Sequence, residues 1–218
     1  MTRVIGTMLR ILVVALTLLA GATVWMSVLR QDLPAPTVAT VLPEPLRLPA
    51  VQLTDQHGLD FSTSDLAGTF SLMFFGFTNC PDICPITLAT LANVEAELRA
   101  QGIEPPRIVF VSVDPDRDTP AQIERYLGNF SADFVGITGN QQALQPLLAA
   151  LGVTVERHQL PGEEAYNVTH NSTVYLVGPQ AEWLAIFSAP HDATVIATDY
   201  LRVRQRYLTQ RTAVSATS

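Results

Sequence analysis

The chain of 218 residues contains no lysine. That excludes Schiff-base catalysis and the phosphate-binding lysine of a P-loop. Cysteine is nearly as scarce: Cys80 and Cys84 are the only two, and one pentapeptide holds both. Two cysteines do not scaffold a disulfide-held fold, so this pair is either a local disulfide or a site. Charge is thin at 15% and biased, with 13 arginines against 20 acidic residues. Setting aside Arg3, Arg10 and Arg30, which flank an apolar segment, leaves 10 basic against 20 acidic residues, a balance of −10. Phosphate binding needs clustered positive charge, so the expectation is no nucleic-acid partner.

Charge is absent altogether from residues 11–29. As a helix this stretch spans about 28 Å, close to the thickness of a bilayer's hydrocarbon core. Arg3 and Arg10 precede it, while Arg30 is balanced by Asp32. The positive-inside bias then keeps the N-terminus in the cytoplasm and carries the rest across. The competing reading is a signal peptide cleaved near Ala20-Gly21-Ala22. The apolar run continues past those residues to Leu29, and Trp25 suits an interfacial anchor, which favours a single uncleaved span in the inner membrane with the domain on the periplasmic side. A lipoprotein is excluded because no cysteine lies there. An oxidising compartment, where thiols cycle, follows either way.

The expected organisation is an anchor or signal peptide over 1–30, a proline-rich spacer over 31–45, a domain over 46–210 and a flexible tail over 211–218. Pro34, Pro36, Pro43 and Pro45 stiffen the spacer, and Pro49 follows it closely. Residues 70–77 (FSLMFFGF) read as a central strand buried on both faces, and 107–113 (RIVFVSV) as another. Leu88, Leu91, Val94 and Leu98 recur at helical spacing, with Gly102 as the stop. Thr119-Pro120-Ala121-Gln122 combines a cap, a first-turn proline and a glutamine in the capping-box position, predicting a helix to about Asn129. Residues 141–151 are helical, with a kink or restart predicted at Pro146. Strands follow over 173–177 and 183–188, then a helix capped by Asp192 to about Leu208. The order β-α-β-α-α-β-β-α implies a mixed sheet with helices on both faces, a three-layer α/β/α domain.

The cysteines fall where the first central strand ends and the next helix begins, the position at which open α/β sheets place their sites. Free N–H groups and partial positive charge in a first helical turn favour thiolate over thiol. In helical geometry the two residues share a face about 6 Å apart at Cβ, too wide for a relaxed disulfide. Two thiolates on one face suit a soft ion such as Cu(I). Structural zinc wants four ligands, and no second cysteine pair exists. A thiol–disulfide reductase stays open, although its usual motif has two intervening residues rather than three.

The segment Phe75-Gly76-Phe77-Thr78-Asn79-Cys80-Pro81-Asp82-Ile83-Cys84-Pro85 resembles the strand-to-site motif of the Sco/SenC family of copper-binding assembly factors for cytochrome oxidase. Val111-Ser112-Val113-Asp114-Pro115-Asp116-Arg117-Asp118-Thr119-Pro120, Gly136-Ile137-Thr138-Gly139 and the stretch from Tyr166 to His170 match in collinear order. The resemblance implies a thioredoxin-like fold and copper held by Cys80, Cys84 and His170. It also implies delivery of copper to the copper-binding subunit of a terminal oxidase, or reduction of that subunit's cysteines by the redox pair Cys80 and Cys84. Three positions depart from the family pattern: Thr169 for aspartate, Asn171 for serine or threonine, and Asn79 for histidine. None removes a ligand, and the change at 169 is the one expected to alter the histidine's surroundings.

The remaining candidates read blandly. His57, His158 and His191 are taken as surface residues, with His191 the reserve ligand. Asp114, Asp116 and Asp118 echo the start of a calcium loop but lack its glycine and distal glutamate, so they read as a structured turn in which Asp118 or Thr119 caps the helix and Arg117 pairs locally. No methionine-rich segment exists to capture copper, which leaves that task to the cysteines and the histidine.

Overall fold

The computed structural model describes residues 13–14, 16–21, 34–159 and 166–215. They belong to two units, Met1–Ala35 and Pro36–Ser218. In the first, residues 13–14 and 16–21 are helical, and the rest of the apolar segment lies outside the described residues. Among the described residues no helix is long and apolar enough to cross a membrane.

The second unit is built on an eight-stranded sheet. Its strands are β1 (Thr40–Arg47), β2 (Gln52–Asp55), β3 (Asp60–Ser62), β4 (Ser71–Gly76), β5 (Arg107–Ser112), β6 (Val135–Thr138), β9 (Val174–Gly178) and β10 (Glu182–Phe187), in the order β1-β10-β9-β4-β5-β6-β2-β3. The other two strands, β7 (Val155–Gln159) and β8 (Tyr166–His170), form a separate antiparallel hairpin. The helices are α1 (Ile83–Ala100), α2 (Pro120–Leu127), α3 (Gln141–Leu151) and α4 (Ala193–Ser215).

Parallel pairing of β4 with β5 and of β5 with β6 requires crossovers, which α1 and α2 supply. β9 closes against the other edge of β4 in the antiparallel sense and pairs with β10. The sheet is therefore mixed. All six residues of β4 are buried. Successive side chains of a strand point to opposite faces, so both faces of the sheet's centre are covered. Phe70 receives Tyr200 and Tyr207 of α4 edge-on, at ring-centroid distances of 6.0 and 5.6 Å.

Several local expectations change in this context. The last part of the stretch read as spacer enters the sheet: β1 pairs with β10, and the register shifts between Val41 and Leu46, where Pro43 and Pro45 fall. Proline lacks a ladder donor and is accommodated on such an irregular edge. Just before β1, the buried Asp199 of α4 accepts the backbone N–H groups of Thr37, Val38 and Ala39 at 2.7–3.0 Å. α3 runs through Pro146 without restarting. Gln122 forms no capping box, because its side-chain amide donates to Thr78 Oγ1 at 3.2 Å instead. Asp192 does cap α4, accepting from the Val195 N–H at 2.9 Å. That helix continues to Ser215, through residues expected to fray, with the Arg211 guanidinium over the Tyr207 ring. The short strands β2, β3, β6 and β7 carry weak local patterns and do not stand out in the sequence.

Candidate metal centre

β4 ends at Gly76 and α1 begins at Ile83, so Cys84 lies in the first helical turn and Cys80 in the loop before it. The expected pair on one helix face is thus not formed. Cys80 instead donates its N–H to the Phe77 carbonyl at 3.2 Å, and its sulfur accepts the Cys84 N–H at 3.4 Å. Both cysteines are free thiols, Cys84 buried and Cys80 half-buried. Gly76 makes room for Cys84. A Cβ there would lie 2.8 Å from Cε2 of Phe110 and 3.1 Å from the Cys84 sulfur.

The loop that carries Cys80 is tied down from a distance. The buried carboxylate of Asp118 accepts the Thr78 N–H at 2.9 Å, the Thr78 hydroxyl at 2.6 Å and the Ser112 hydroxyl at 2.6 Å. Asp118 therefore braces the cysteine loop and does not cap α2, and Thr119 occupies the N-cap without a side-chain bond.

The imidazole arrives from the hairpin. His170 is the last residue of β8, not the start of the strand that follows, and it faces Val155 across the ladder. Its Nε2 lies 3.4 Å from the Cys84 sulfur and its Nδ1 2.9 Å from the Asn171 carbonyl oxygen. A carbonyl can only accept, so Nδ1 donates to it and Nε2 is the nitrogen turned toward the sulfurs. Phe74 and Phe77 meet the ring edge-on at 6.1 and 5.9 Å and confine it.

Two sulfurs and one imidazole nitrogen thus lie within 4.8 Å of one another. The thiol of Cys84 donates to Cys80 and draws its pKa down to about 4, with help from His170 and the N–H groups of Asp82 and Cys84, while burial opposes the shift. The same hydrogen bond and its own burial push Cys84 up. The pair shares one proton, with the negative charge on the more exposed sulfur. Such a set suits a soft, thiophilic ion, and three donors leave it open to exchange. Four-coordinate structural zinc is a poor match, since among the described residues this cluster offers no fourth Cys, His, Asp or Glu.

The other histidines stand apart. His57 and His158 are exposed beside Glu124 and Glu156. His191 is more than a surface residue, since its Nε2 meets the Ser172 carbonyl at 2.7 Å, but it does not join the cluster. Thr169 is exposed and alternates with His170, so its side chain turns away from the imidazole. The Asn171 side chain donates to Tyr175 Oη at 3.1 Å, and only its backbone oxygen touches the histidine. Asn79 is exposed.

Sequence reasoning missed the residues that hold the hairpin. Asp114 is fully buried, and its carboxylate accepts from the Arg117 guanidinium and from the Tyr166 hydroxyl. Arg157 reaches the same carboxylate at 3.6 Å and also pairs with Asp116. The local pairing expected of Arg117 is present, but Arg117 also donates to the Tyr166 carbonyl at 3.0 Å and stacks over the Tyr166 ring at 3.9 Å. The uncommon density of Asp and Arg between 114 and 118 was the available signal, and it lacked a distant partner to point to.

Residues 47–205 match the family profile described as SCO1/SenC. A protein of Stutzerimonas stutzeri is 40% identical over 151 residues, which is 69% of this chain and 73% of that protein. The crystal structure of Arabidopsis thaliana ScoI with copper bound superposes with a TM-score of 0.68 at 27% identity, covering 73% of this chain and 98% of that one. BsSco, a member of the Sco family of cytochrome c oxidase assembly proteins, gives 0.59 at 28% identity, covering 74% of this chain and 95% of that one. The profile match takes in both the cysteine loop and the histidine hairpin, the solved relatives share the thioredoxin-like fold, and this chain belongs to the SCO1/SenC family.

Proposed function

We propose that this chain is a copper chaperone that serves assembly of the copper site of a respiratory cytochrome c oxidase. It holds one copper ion through Sγ of Cys80, Sγ of Cys84 and Nε2 of His170. The observation that carries this reading is the convergence of those three atoms within 4.8 Å, although His170 lies 86 residues beyond Cys84. The likeness to copper-bound ScoI and to an oxidase assembly protein supports the cargo and the destination. The half-buried Cys80 leaves one side of the ion reachable, so ligands of a copper-binding oxidase subunit can replace those of this chain one at a time. The charge-free stretch 11–29, preceded by Arg3 and Arg10, supports a single inner-membrane span with the domain on the periplasmic side.

Anaerobic titration of the reduced full-length chain with Cu(I) tests the site. One equivalent binds to the native protein. Cys80→Ser with Cys84→Ser abolishes stoichiometric binding, and His170→Ala weakens it by at least about tenfold. Retention of one equivalent by the double serine variant would refute the assignment.

A second reading, a thiol–disulfide reductase acting on an oxidase subunit's cysteines, draws on the asymmetry of the pair. The Cys80 thiolate, at a pKa of about 4, attacks a partner disulfide and expels one partner thiolate. Cys84 then attacks the mixed disulfide, leaving the partner reduced and this pair oxidised. His170→Ala separates the two: copper retention falls, whereas reduction of a disulfide peptide persists.

A further inference from the structure

The motif between β5 and α2 has two buried carboxylates, and they face opposite halves of the metal centre. Asp118 holds Thr78, two residues before Cys80, through two hydrogen bonds and accepts a third from Ser112. Asp114 holds Tyr166, four residues before His170 on the same strand, together with Arg117 and Arg157. Backbone ties join the two, since the N–H groups of Arg117 and Asp118 both donate to the Asp114 carbonyl, at 3.1 and 2.9 Å.

The hairpin needs such a hold. It lies outside the main sheet, and β7 is exposed from Glu156 to Gln159. A cavity of about 450 Å³, lined by Val113, Pro115, Leu144, Leu148, Val155 and Arg157 among others, lies along β7 toward α3. Apolar packing of the hairpin is therefore sparse, with Val168 its one buried hydrophobic side chain among the described residues. Phe74 and Phe77 flank the imidazole itself, but the strand that carries it is lightly packed and depends on polar contacts for its position.

We infer that residues 114–118 act as a two-ended clamp, in which Asp114, through Tyr166, Arg117 and Arg157, positions the imidazole of His170 while Asp118, through Thr78, independently positions the Cys80 sulfur. These are positioning residues and touch no ligand atom. The inference deepens the copper reading, because it explains how two distant segments keep a common register.

A double-mutant cycle in the full-length chain tests it, with Cu(I) affinity measured against a chromophoric chelator. Tyr166→Phe removes one hydroxyl and lowers affinity by about 10-fold, within the 10- to 100-fold usual for a residue that orients a ligand. In a His170→Ala background the same change has less than about a twofold effect, since nothing remains for it to aim. Asp118→Asn costs about as much in either background, because it acts on the sulfurs. Equal losses from Tyr166→Phe with and without His170 would overturn the clamp. A second readout needs no metal: the ¹⁵N spectrum of the His170 ring in reduced, metal-free protein. Tyr166→Phe and Asp114→Asn shift or broaden the His170 Nδ1–H signal and leave that of His191 in place, whereas Asp118→Asn leaves both. An unchanged His170 signal in folded Tyr166→Phe refutes the clamp even if copper binds elsewhere, and a changed one supports it even if the ligand assignment fails. Should Asp114→Asn not fold, Tyr166→Phe decides alone.

Discussion

The sulfur half of the centre is made within five residues of chain, between the end of β4 and the first turn of α1. The imidazole half comes from a hairpin outside the main sheet, and its nitrogen meets the Cys84 sulfur across 86 residues. The first half rests on a strand buried along its whole length. Phe74 and Phe75 are fully buried, and Gly76 lets Cys84 settle against that strand. The second rests on charged and aromatic contacts at Asp114, Arg117, Arg157 and Tyr166. The strand under the sulfur half is therefore held mainly by packing, and the hairpin under the imidazole half mainly by a few polar bonds. That division fits the proposed chaperone, which would hold an ion and also yield it, because a polar tether opens at lower cost than a packed core.

The sharpest way to probe the sulfur half is through its charge. With Cys80 drawn down to about 4, its alkylation by iodoacetamide stays within about twofold between pH 8 and pH 6. An ordinary thiol, with a pKa near 8.5, slows close to 100-fold over that range. The buried Cys84 reacts far more slowly throughout. Mass spectrometry of the labelled peptides reads both rates, and a steep decline at Cys80 would erase the asymmetry. The sign for stability follows from linkage. A group lowered from 9.0 in the unfolded chain to about 4 in the fold contributes fully above pH 9, and its contribution is lost progressively as pH falls toward 4.

A smaller effect is expected from crowding the sulfur half. Gly76→Ala places a methyl group 2.8 Å from Phe110 and 3.1 Å from the Cys84 sulfur. Overpacking of this kind costs about 1–3 kcal/mol, which chemical denaturation of the reduced protein measures. The loss should be the same with and without His170, because the clash lies wholly on the sulfur side. The smallest effect belongs to Thr169→Asp, which installs the residue the family usually has. Its side chain is exposed on the strand face opposite His170, so Cu(I) affinity moves by less than about twofold. A larger change would mean that the hairpin's outward face communicates with the ring.

Much of the centre was legible along the chain, for a local reason. A continuous apolar strand, a Cys-x3-Cys segment and a helix start are neighbours in sequence, so their juxtaposition needs no knowledge of the fold. His170 was reached through the resemblance of its surrounding motif, since a single histidine carries no signal of its own. Its tautomer was not legible, because the bond that sets it runs to the Asn171 carbonyl and depends on the strand's end geometry. The roles of Asp114 and Asp118 were read as local turn chemistry. Both carboxylates find their decisive partners 40 or more residues away, at Tyr166 and Thr78. The strand β1 was hidden for a similar reason: with prolines at 43 and 45 it resembles a spacer until β10 and Asp199 supply its partners.

By itself the sequence determined which segments form the central strands and their crossover helices, because hydrophobic periodicity and end signals are properties of adjacent residues. It also determined that two soft sulfurs sit at the carboxyl end of a buried strand. Only the tertiary structure decided which nitrogen of His170 faces them, which sulfur carries the charge and which carboxylates brace the two halves. Those outcomes depend on hydrogen bonds and burial between segments far apart in the chain, and such contacts exist only once the sheet has brought the segments together.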